Sequence, residues 1–233
     1  MSTLTKTCFI AGAGSFDGMS IRPQEDDLII AADGGYEYLK NMNIEPHVLL
    51  GDFDSLEIVP EHRHLIRHSP IKDDTDMALA AAYAMELGYR RFFLYGGLGG
   101  RLDHTIANLQ LLTGMSKNGM EAYLIGEGII LTAISGKKEE LTGYSEEISF
   151  DANASGMISV FSMGDSASGI WEKGLKYELS DAVMTNDKTL GVSNEFLGCE
   201  SSVSVGEGTI LIMWDEKNGL PVWRRKKEVN KYE

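Results

Sequence analysis

Residues 48–55 read VLLGDFDS, an apolar run that ends abruptly at a glycine and two aspartates. The same pattern occurs three more times in the first half of the chain, as CFIAGAG at 8–14, LIIAADGG at 28–35 and FFLYGGLGGRLDH at 92–104. Short apolar runs bounded in this way are typical of buried parallel strands in an open α/β sheet. Because ligands bind beyond the carboxyl ends of such strands, we expect these acids and glycines to converge on one edge.

Helix-like segments lie between and after these runs, at 36–42, 75–87 and 105–115. The middle segment is rich in Ala, Met and Leu, begins among acids that suit a helix N-terminus and stops at Gly88. Alternating strands and helices predict βαβ units, and therefore a doubly wound α/β fold with a mainly parallel sheet.

The pattern changes from about Gly128 to short β-prone runs separated by turn residues. These runs lie at 157–161, 175–179, 202–205 and 209–214. No helical period separates them, which predicts an all-β domain of the sandwich or barrel type. We therefore predict two domains, residues 1–127 and 128–233.

Composition restricts the partners and the compartment. The formal net charge of −14 over 233 residues argues against binding nucleic acid through its phosphates. The basic run at 224–227 is interpreted as a solvated tail. Two cysteines, Cys8 and Cys199, make no disulfide framework, and neither a signal-peptide pattern nor a membrane-length apolar run is visible. We expect a cytoplasmic protein that does not bind membranes.

The first acidic group follows the strand-like run VLL. In extended backbone Asp52 and Asp54 point to the same side, because residues two apart share a face. Two carboxylates so close repel each other unless a cation lies between them, and Mg²⁺ accepts such ligands. The alternative is that these aspartates form turns or caps at the strand end.

The second acidic group is KDDTD at 72–76, where the Ala-rich helix is expected to begin. Asp73 or Asp76 could complete a metal cluster, and Lys72 could meet a phosphate or neutralise the acids. Helix capping explains the same acids equally well, since a helix N-terminus favours negative charge.

The third constellation is the loop at 96–104. Its glycines would let backbone amides approach a polyphosphate, and Arg101 offers a bidentate guanidinium for the same charge. The loop is neither a Walker motif nor a GxGxxG fingerprint, and a plain flexible turn remains the alternative. Asp33 and the glycines at 12–14 are weaker candidates for the same rim. The spacing of His62, His64 and His68 matches no common zinc pattern, and a ligand contact by His104 stays open.

The motifs ADGG, GDFDS, KDDTD and GGLGGRLDH, in this order, resemble those of the thiamine pyrophosphokinase family. GLKYEL at 174–179 and GVSNEF at 191–196 are similar to the thiamine-binding β-domain of that family. The resemblance implies transfer of the pyrophosphoryl group of ATP to thiamine, which yields thiamine diphosphate and AMP. It also implies a homodimer.

The resemblance assigns roles to individual residues. It implies Mg²⁺ ligands at Asp52, Asp54 and Asp76, which with Arg101 form the catalytic group. The nucleotide contacts that we predict are Gly96, Gly97, Gly99, Gly100, Arg101, Asp33, Lys72, Asp73 and Thr75. The implied thiamine contacts are Ser193 and Asn194, with Phe196 as a stacking surface. Tyr36 and Glu37 depart from the family pattern, and Trp171 and Trp214 are interpreted as core residues.

Two other functions stay open at this point. VLLGDFDSL superficially resembles the strand-end motif of haloacid dehalogenase-type phosphohydrolases, in which Asp52 would be a nucleophile. That motif usually follows the first strand of its domain, whereas two strands are expected before it here. The second alternative is a nucleotide or metal sensor that binds ATP and Mg²⁺ without turnover.

Overall fold

The computed structural model describes residues 6–52, 62–67, 74–139 and 142–227. Within these ranges the chain forms two compact units. Unit 1 comprises Met1–Met115 and Gly119–Glu127, and unit 2 comprises Ser116–Asn118 and Gly128–Glu233. Asp54, Lys72, Asp73 and His68 lie outside the described residues.

Unit 1 contains a parallel sheet, as predicted. Its strands are β1 (Thr7–Ala11), β2 (Leu28–Ala32), β3 (Val48–Gly51), β4 (Leu65–Arg67), β5 (Arg91–Tyr95) and β6 (Glu121–Gly126). They are hydrogen-bonded in the order β6-β5-β1-β2-β3-β4, and each neighbouring pair is parallel. Every residue of β2 and β3 is buried, which explains why these strands are continuous apolar runs.

The helices of unit 1 lie near their predicted positions. They are α1 (Gly35–Asn41), α2 (Asp76–Glu86) and α3 (Leu102–Lys117). Thr75 is the N-cap of α2, because its Oγ1 accepts a hydrogen bond from the Ala78 amide at 3.2 Å. Helix α3 begins three residues before the predicted start, so Asp103 and His104 belong to its first turn. No helix in the described ranges is long and apolar enough to cross a membrane.

Unit 2 consists of antiparallel β-structure. Its strands are β7 (Ile129–Gly136), β8 (Tyr144–Phe150), β9 (Met157–Ser162), β10 (Ser166–Lys173), β11 (Leu179–Thr185), β12 (Asn194–Glu195), β13 (Ser201–Val205), β14 (Gly208–Asp215) and β15 (Val222–Lys227). One set of strands runs β12-β9-β14-β7, and a five-stranded sheet runs β11-β10-β13-β8-β15. The ring of Phe150 in β8 contacts both Trp214 in β14 and Phe196, so side chains from both sets share a core.

Three sequence interpretations of unit 2 are wrong. The run at 175–179 is not a strand of its own, because Leu175 makes only an isolated bridge to Phe196 and only its last residue, Leu179, belongs to a strand, β11. The basic run at 224–227 is not a solvated tail, because it forms most of β15 and pairs with β8. Trp171 is 38% exposed and is not a core residue, whereas the predicted burial of Trp214 is confirmed.

Candidate active site

A cavity of about 560 Å³ lies in unit 1 beyond the carboxyl ends of β1, β2 and β5. It brings together most of the sequence-predicted rim residues that the structure describes. The predicted residues in its lining are Gly12, Gly14, Asp33, Thr75, Asp76, Gly96, Gly97, Gly99, Gly100, Arg101 and His104. The expected convergence at one sheet edge is therefore observed for these residues.

Two backbone segments that follow β1 and β5 form one side of the cavity. The amide of Gly12 donates to the Tyr95 carbonyl at 2.8 Å, and the amide of Gly14 donates to the Gly96 carbonyl at 2.8 Å. A Cβ at Gly14 would lie 2.6 Å from that carbonyl oxygen, and one at Gly96 would lie 2.3 Å from the Gly12 oxygen. Gly96 also has a φ of 65°, which disfavours any side chain. These glycines allow two strand ends to meet with no side chain between them.

Asp33 follows β2 and lies beside the end of β3. Its backbone has a φ of 49°, and its amide donates to the Leu50 carbonyl at 2.8 Å. A Cβ at Gly51 would lie 3.2 Å from the Asp33 Cα, so the two chain segments are in close contact. Asp52 comes directly after Gly51 and therefore leaves β3 at the same edge of the sheet.

Asp76 lies in the first turn of α2 and lines the cavity. The positive end of the helix dipole stabilises its carboxylate there. This position also suits a carboxylate that faces a cation. The N-cap is Thr75, so the two roles that fit Asp76 are interaction with the helix dipole and metal binding.

Arg101 is exposed at the mouth of the cavity and is already paired. Its Nε and one terminal nitrogen donate to the two carboxylate oxygens of Asp103, at 3.2 and 2.5 Å. Hydrogen bonding to Asp103 raises the pKa of the Arg101 guanidinium, and the same hydrogen bond lowers the pKa of the Asp103 carboxyl. A phosphate that binds Arg101 must therefore share it with Asp103 or displace that carboxylate.

Several cavity residues were not predicted from the sequence. Asn108 of α3 is 5% exposed, and its Nδ2 donates to the Gly97 carbonyl at 2.8 Å, which fixes the glycine-rich loop. Tyr38 lines the cavity while its ring stacks on Phe16, with 4.7 Å between ring centroids. The i+4 relation of Asn108 to His104 on one helix face was a usable signal. The Tyr38 contact depends on a loop conformation that the sequence does not display.

The predicted thiamine contacts lie in unit 2. Asn194 is 2% exposed, and all its amide hydrogen-bonding capacity is used inside the protein. Its Nδ2 donates to Glu172 and to the Tyr177 carbonyl, and its Oδ1 accepts from the amides of Tyr177 and Glu195. Phe196 is 8% exposed and packs on Phe150. Ser193 is exposed, and its backbone amide donates to the Ser159 hydroxyl at 3.0 Å.

The carboxylates of the described residues do not by themselves form a metal site. No cluster of three or more His, Cys, Asp or Glu side chains is present in the part of the chain that the structure describes. Asp52 and Asp76 are included in that part, whereas Asp54 and Asp73 are not. The Mg²⁺ cluster at Asp52, Asp54 and Asp76 therefore stays a prediction.

A parallel sheet whose carboxyl edge places glycine-rich backbone, an arginine and carboxylates around one cavity is typical of proteins that bind phosphorylated ligands. Comparison with known protein families identifies which proteins of this class the chain resembles. Residues 23–124 match the thiamin pyrophosphokinase catalytic domain, and residues 145–210 match the thiamin pyrophosphokinase vitamin B1 binding domain.

Relatives of known name agree with these matches. A thiamine pyrophosphokinase of Bacillus subtilis (strain 168) is 30% identical, over 81% of this chain and 87% of the relative. Thiamin pyrophosphokinase 1 of Caenorhabditis elegans is 25% identical, over 71% of this chain and 70% of the relative. The crystal structure of the Bacillus subtilis protein superimposes with a TM-score of 0.74 at 26% identity, covering 90% of this chain and 99% of that structure.

The chain therefore belongs to the thiamine pyrophosphokinase family. The resemblance stated from the sequence motifs is confirmed, and so is the enzyme class, thiamine diphosphokinase. A Geobacillus thermodenitrificans structure, with a TM-score of 0.75 at 23% identity, shows the same fold over 92% of this chain and 99% of that one.

Proposed function

We propose that this protein transfers the pyrophosphoryl group of ATP to thiamine and releases thiamine diphosphate and AMP. Family membership supports this reaction. The observation that carries it to particular residues is the convergence of the predicted nucleotide contacts on one cavity of unit 1.

The phosphates of ATP are proposed to bind along the loop at 96–101. Left-handed backbone at Gly96, Gly99 and Gly100 leaves this segment without side chains that would obstruct a polyphosphate. Asn108 holds the loop through the Gly97 carbonyl, and Arg101 supplies a fixed positive charge at the mouth. Asp33 and Thr75 line the same cavity, whereas the assignments of Lys72 and Asp73 to the nucleotide rest on the sequence motif.

Mg²⁺ is proposed to bind at Asp52, Asp54 and Asp76. The donor set fits, because Asp52 leaves β3 at the rim, Asp76 lines the cavity, and both offer the oxygen ligands that this hard cation prefers. When bound, Mg²⁺ supplies charge neutralisation on the phosphate oxygens.

In the proposed reaction the hydroxyethyl oxygen of thiamine attacks the β-phosphorus in line and AMP departs. Such transfers depend chiefly on positioning and electrostatics. The residues of this chain hold the phosphates through backbone amides and Arg101, so developing charge meets donors that are already in place. No general base is assigned.

Thiamine is proposed to bind unit 2, through Ser193 and the segment that Asn194 fixes, with residues 1–127 as the catalytic domain and 128–233 as the thiamine-binding domain. We also propose a homodimer in a cytoplasmic location. Unit 1 is proposed to be doubly wound and unit 2 to be a β-sandwich. The antiparallel sheets and the shared aromatic core of unit 2 support the last assignment.

One assay tests the reaction. The protein is mixed with Mg²⁺, ATP and thiamine, and AMP and thiamine diphosphate are measured. We expect AMP and thiamine diphosphate in equal amounts, with AMP formation dependent on thiamine. Phosphate release without thiamine, together with a trapped phosphoaspartate at Asp52, would instead indicate a phosphohydrolase. Binding of ATP without any thiamine diphosphate would indicate a sensor.

A further inference from the structure

Glu172 is a fully buried glutamate on β10, with 0% of its surface exposed. Its Oε2 accepts a hydrogen bond from Asn194 Nδ2 at 2.7 Å. Within the part of the chain that the structure describes, its Oε1 is buried and has no hydrogen-bond partner. A buried carboxyl with an unpartnered oxygen is costly, and such costs are concentrated at functional sites.

The Asn194 side-chain amide connects Glu172 to two backbone segments, because it hydrogen-bonds all three. Its Oδ1 accepts from the amides of Tyr177 at 2.9 Å and Glu195 at 2.9 Å. These two backbone donors require an acceptor, so the Nδ2 group must point toward the Tyr177 carbonyl and Glu172. Glu172 accepts the remaining Nδ2 hydrogen, so it completes the hydrogen bonds of the amide orientation that these backbone groups require.

The segments held in this way carry exposed side chains. Tyr177 is 59% exposed, and Ser193, directly before Asn194, is also exposed. Ser193 has a φ of 60°, an unusual conformation for serine that neighbouring contacts must maintain. A loosened Asn194 would therefore shift the exposed side chains of Tyr177 and Ser193.

We propose that Glu172 is a positioning residue for substrate binding by unit 2, acting through Asn194 on the segments around Tyr177 and Ser193. This inference rests on the proposed binding of thiamine by unit 2. It assigns Asn194 an indirect role, because its amide has no hydrogen-bonding capacity left for a ligand.

The ionisation of Glu172 provides an independent readout. Burial raises the pKa of the Glu172 carboxyl to about 7, and the Asn194 hydrogen bond opposes that rise. The other titratable side chains on the surrounding elements are Lys173 on β10, Lys176, Tyr177 and Glu178 in the following loop, Asp181 on β11, Glu195 on β12 and Asp215 on β14. Strand β13 carries none. None of these groups contributes to the shift, and Glu172→Gln, which removes only the titration of Glu172, separates its pH effect from theirs.

The test compares Glu172→Ala and Glu172→Gln with the wild-type protein in steady-state assays at varied thiamine and varied ATP. The alanine variant loses the acceptor for Asn194, so its KM for thiamine should rise about tenfold or more while its KM for ATP changes less than about twofold. Glutamine keeps an acceptor for Asn194, so this variant should restore a thiamine KM close to that of the wild type.

The pH profile gives the second measurement. As Glu172 ionises it becomes a stronger acceptor, so the wild-type KM for thiamine should fall as the pH rises through the pKa of Glu172. This pH dependence should be absent from Glu172→Gln. If Glu172→Ala does not fold, the profile of the glutamine variant alone decides the question.

Glu146→Ala is the matched control for Glu172→Ala, because Glu146 is a second buried glutamate of unit 2 and contacts Ser135 and Arg225 instead of Asn194. An unchanged thiamine KM in Glu172→Ala, or an unchanged pH profile in Glu172→Gln, would overturn the inference. An equal rise of thiamine KM in the control would do the same, since it would show a general effect of buried acids. If the wild-type protein makes no thiamine diphosphate, the proposed function itself fails.

Discussion

At Gly35 a missing side chain lets helix α1 lie directly on the end of strand β1. A Cβ at this position would lie 1.9 Å from the Ala11 carbonyl oxygen and 2.4 Å from its carbonyl carbon. Both atoms are backbone and cannot move aside as a flexible side chain would. The contact therefore fixes the distance between α1 and the sheet beside the cavity.

Gly35→Ala should consequently lower the free energy of unfolding by about 3 kcal/mol or more, because the helix must move away from β1. Urea denaturation measures the change. Gly114→Ala is the control, since a Cβ there meets nothing within 4 Å inside helix α3. This control should be neutral or stabilising by up to about 1 kcal/mol. Equal effects at both glycines would contradict the steric explanation.

Arg101 permits a second prediction at this scale. Arg101→Ala removes the fixed positive charge at the mouth of the cavity, so the KM for ATP should rise about tenfold or more. Steady-state kinetics at saturating thiamine measures it. Asp103→Asn, which releases the guanidinium from its carboxylate partner, should leave the KM for ATP unchanged or lower it. A comparable rise in the Asp103 variant would show that the pair, and not the charge of Arg101, matters.

Individual site residues could be predicted from the sequence where an acid or a glycine directly follows a strand or begins a helix. Asp33, Asp76 and the glycines at 96–100 follow buried strands or begin helices, and parallel topology alone brings them to one edge. Asn108 was missed although its i+4 spacing from His104 was available, because its bond to a loop carbonyl has no sequence pattern, and Tyr38 was missed because a ring stack has none. Asn194 was predicted as a ligand contact, but the closure of its hydrogen bonds is visible only in three dimensions.

Among the secondary-structure elements, the buried strands could be predicted from the sequence and the exposed strands could not. Strands β2 and β3 are buried throughout and were evident as continuous apolar runs. Strand β11 is exposed or partly buried except at Met184, and β15 is almost entirely exposed, so neither had a clear pattern. Strand β15 exists because it pairs with β8 along its whole length and because Arg225 meets a buried acid.

Removal of that arginine tests the role of β15. The Nε and Nη2 of Arg225 donate to Glu146 Oε1 at 2.8 and 2.6 Å, and Glu146 is 3% exposed. Arg225→Met should cost about 2 kcal/mol near neutral pH, because it leaves a buried carboxylate without its cation. Lys227→Met, on the same exposed strand, should cost less than about 0.5 kcal/mol. Denaturation of both variants in urea makes the comparison.

The cost of Arg225→Met should also depend on pH. Burial raises the pKa of the Glu146 carboxyl, with Ser135 and Arg225 opposing the rise, so loss of Arg225 raises it further. A protonated Glu146 needs no cation. The difference between variant and wild type should therefore be largest above this pKa and shrink as the pH falls below it, and a pH-independent difference would exclude an ionic origin.

At the scale of the whole molecule, the two-part organisation could be inferred because the chain changes from alternating helices and strands to strands alone. The observed units change at Glu127 and Gly128, apart from Ser116–Asn118 at the end of α3. The assignment of Ser116–Asn118 to unit 2 could not be inferred, because the sequence of a helix does not show which of its residues contact a different unit. The functional roles of residues 1–127 and 128–233 remain a proposal.

The ionisation of Glu172 should make the free energy of unfolding depend on pH. Its pKa rises from 4.5 to about 7 on folding, so the folded protein binds the proton more tightly than the unfolded chain does. The stability contributed by this group is therefore present in acid and is lost as the pH rises between these two values. Glu172→Gln should match the wild type at the acidic end and exceed its stability by about 3 kcal/mol at the alkaline end. Glu178→Gln is the control, and parallel curves for Glu172→Gln and wild type would contradict the prediction.

The reactivity of the buried Cys8 thiol can be used to measure how often strand β1 separates from its neighbours. Cys8 is 0% exposed and lies between β2 and β5, and burial raises its pKa, so the reactive thiolate is suppressed while the sheet is closed. Cys199, the other thiol, is exposed and can be replaced by serine. Alkylation of that single-cysteine protein would then proceed only through molecules whose central strand has separated. Labelling rates with and without ATP would measure how strongly the nucleotide holds this sheet together.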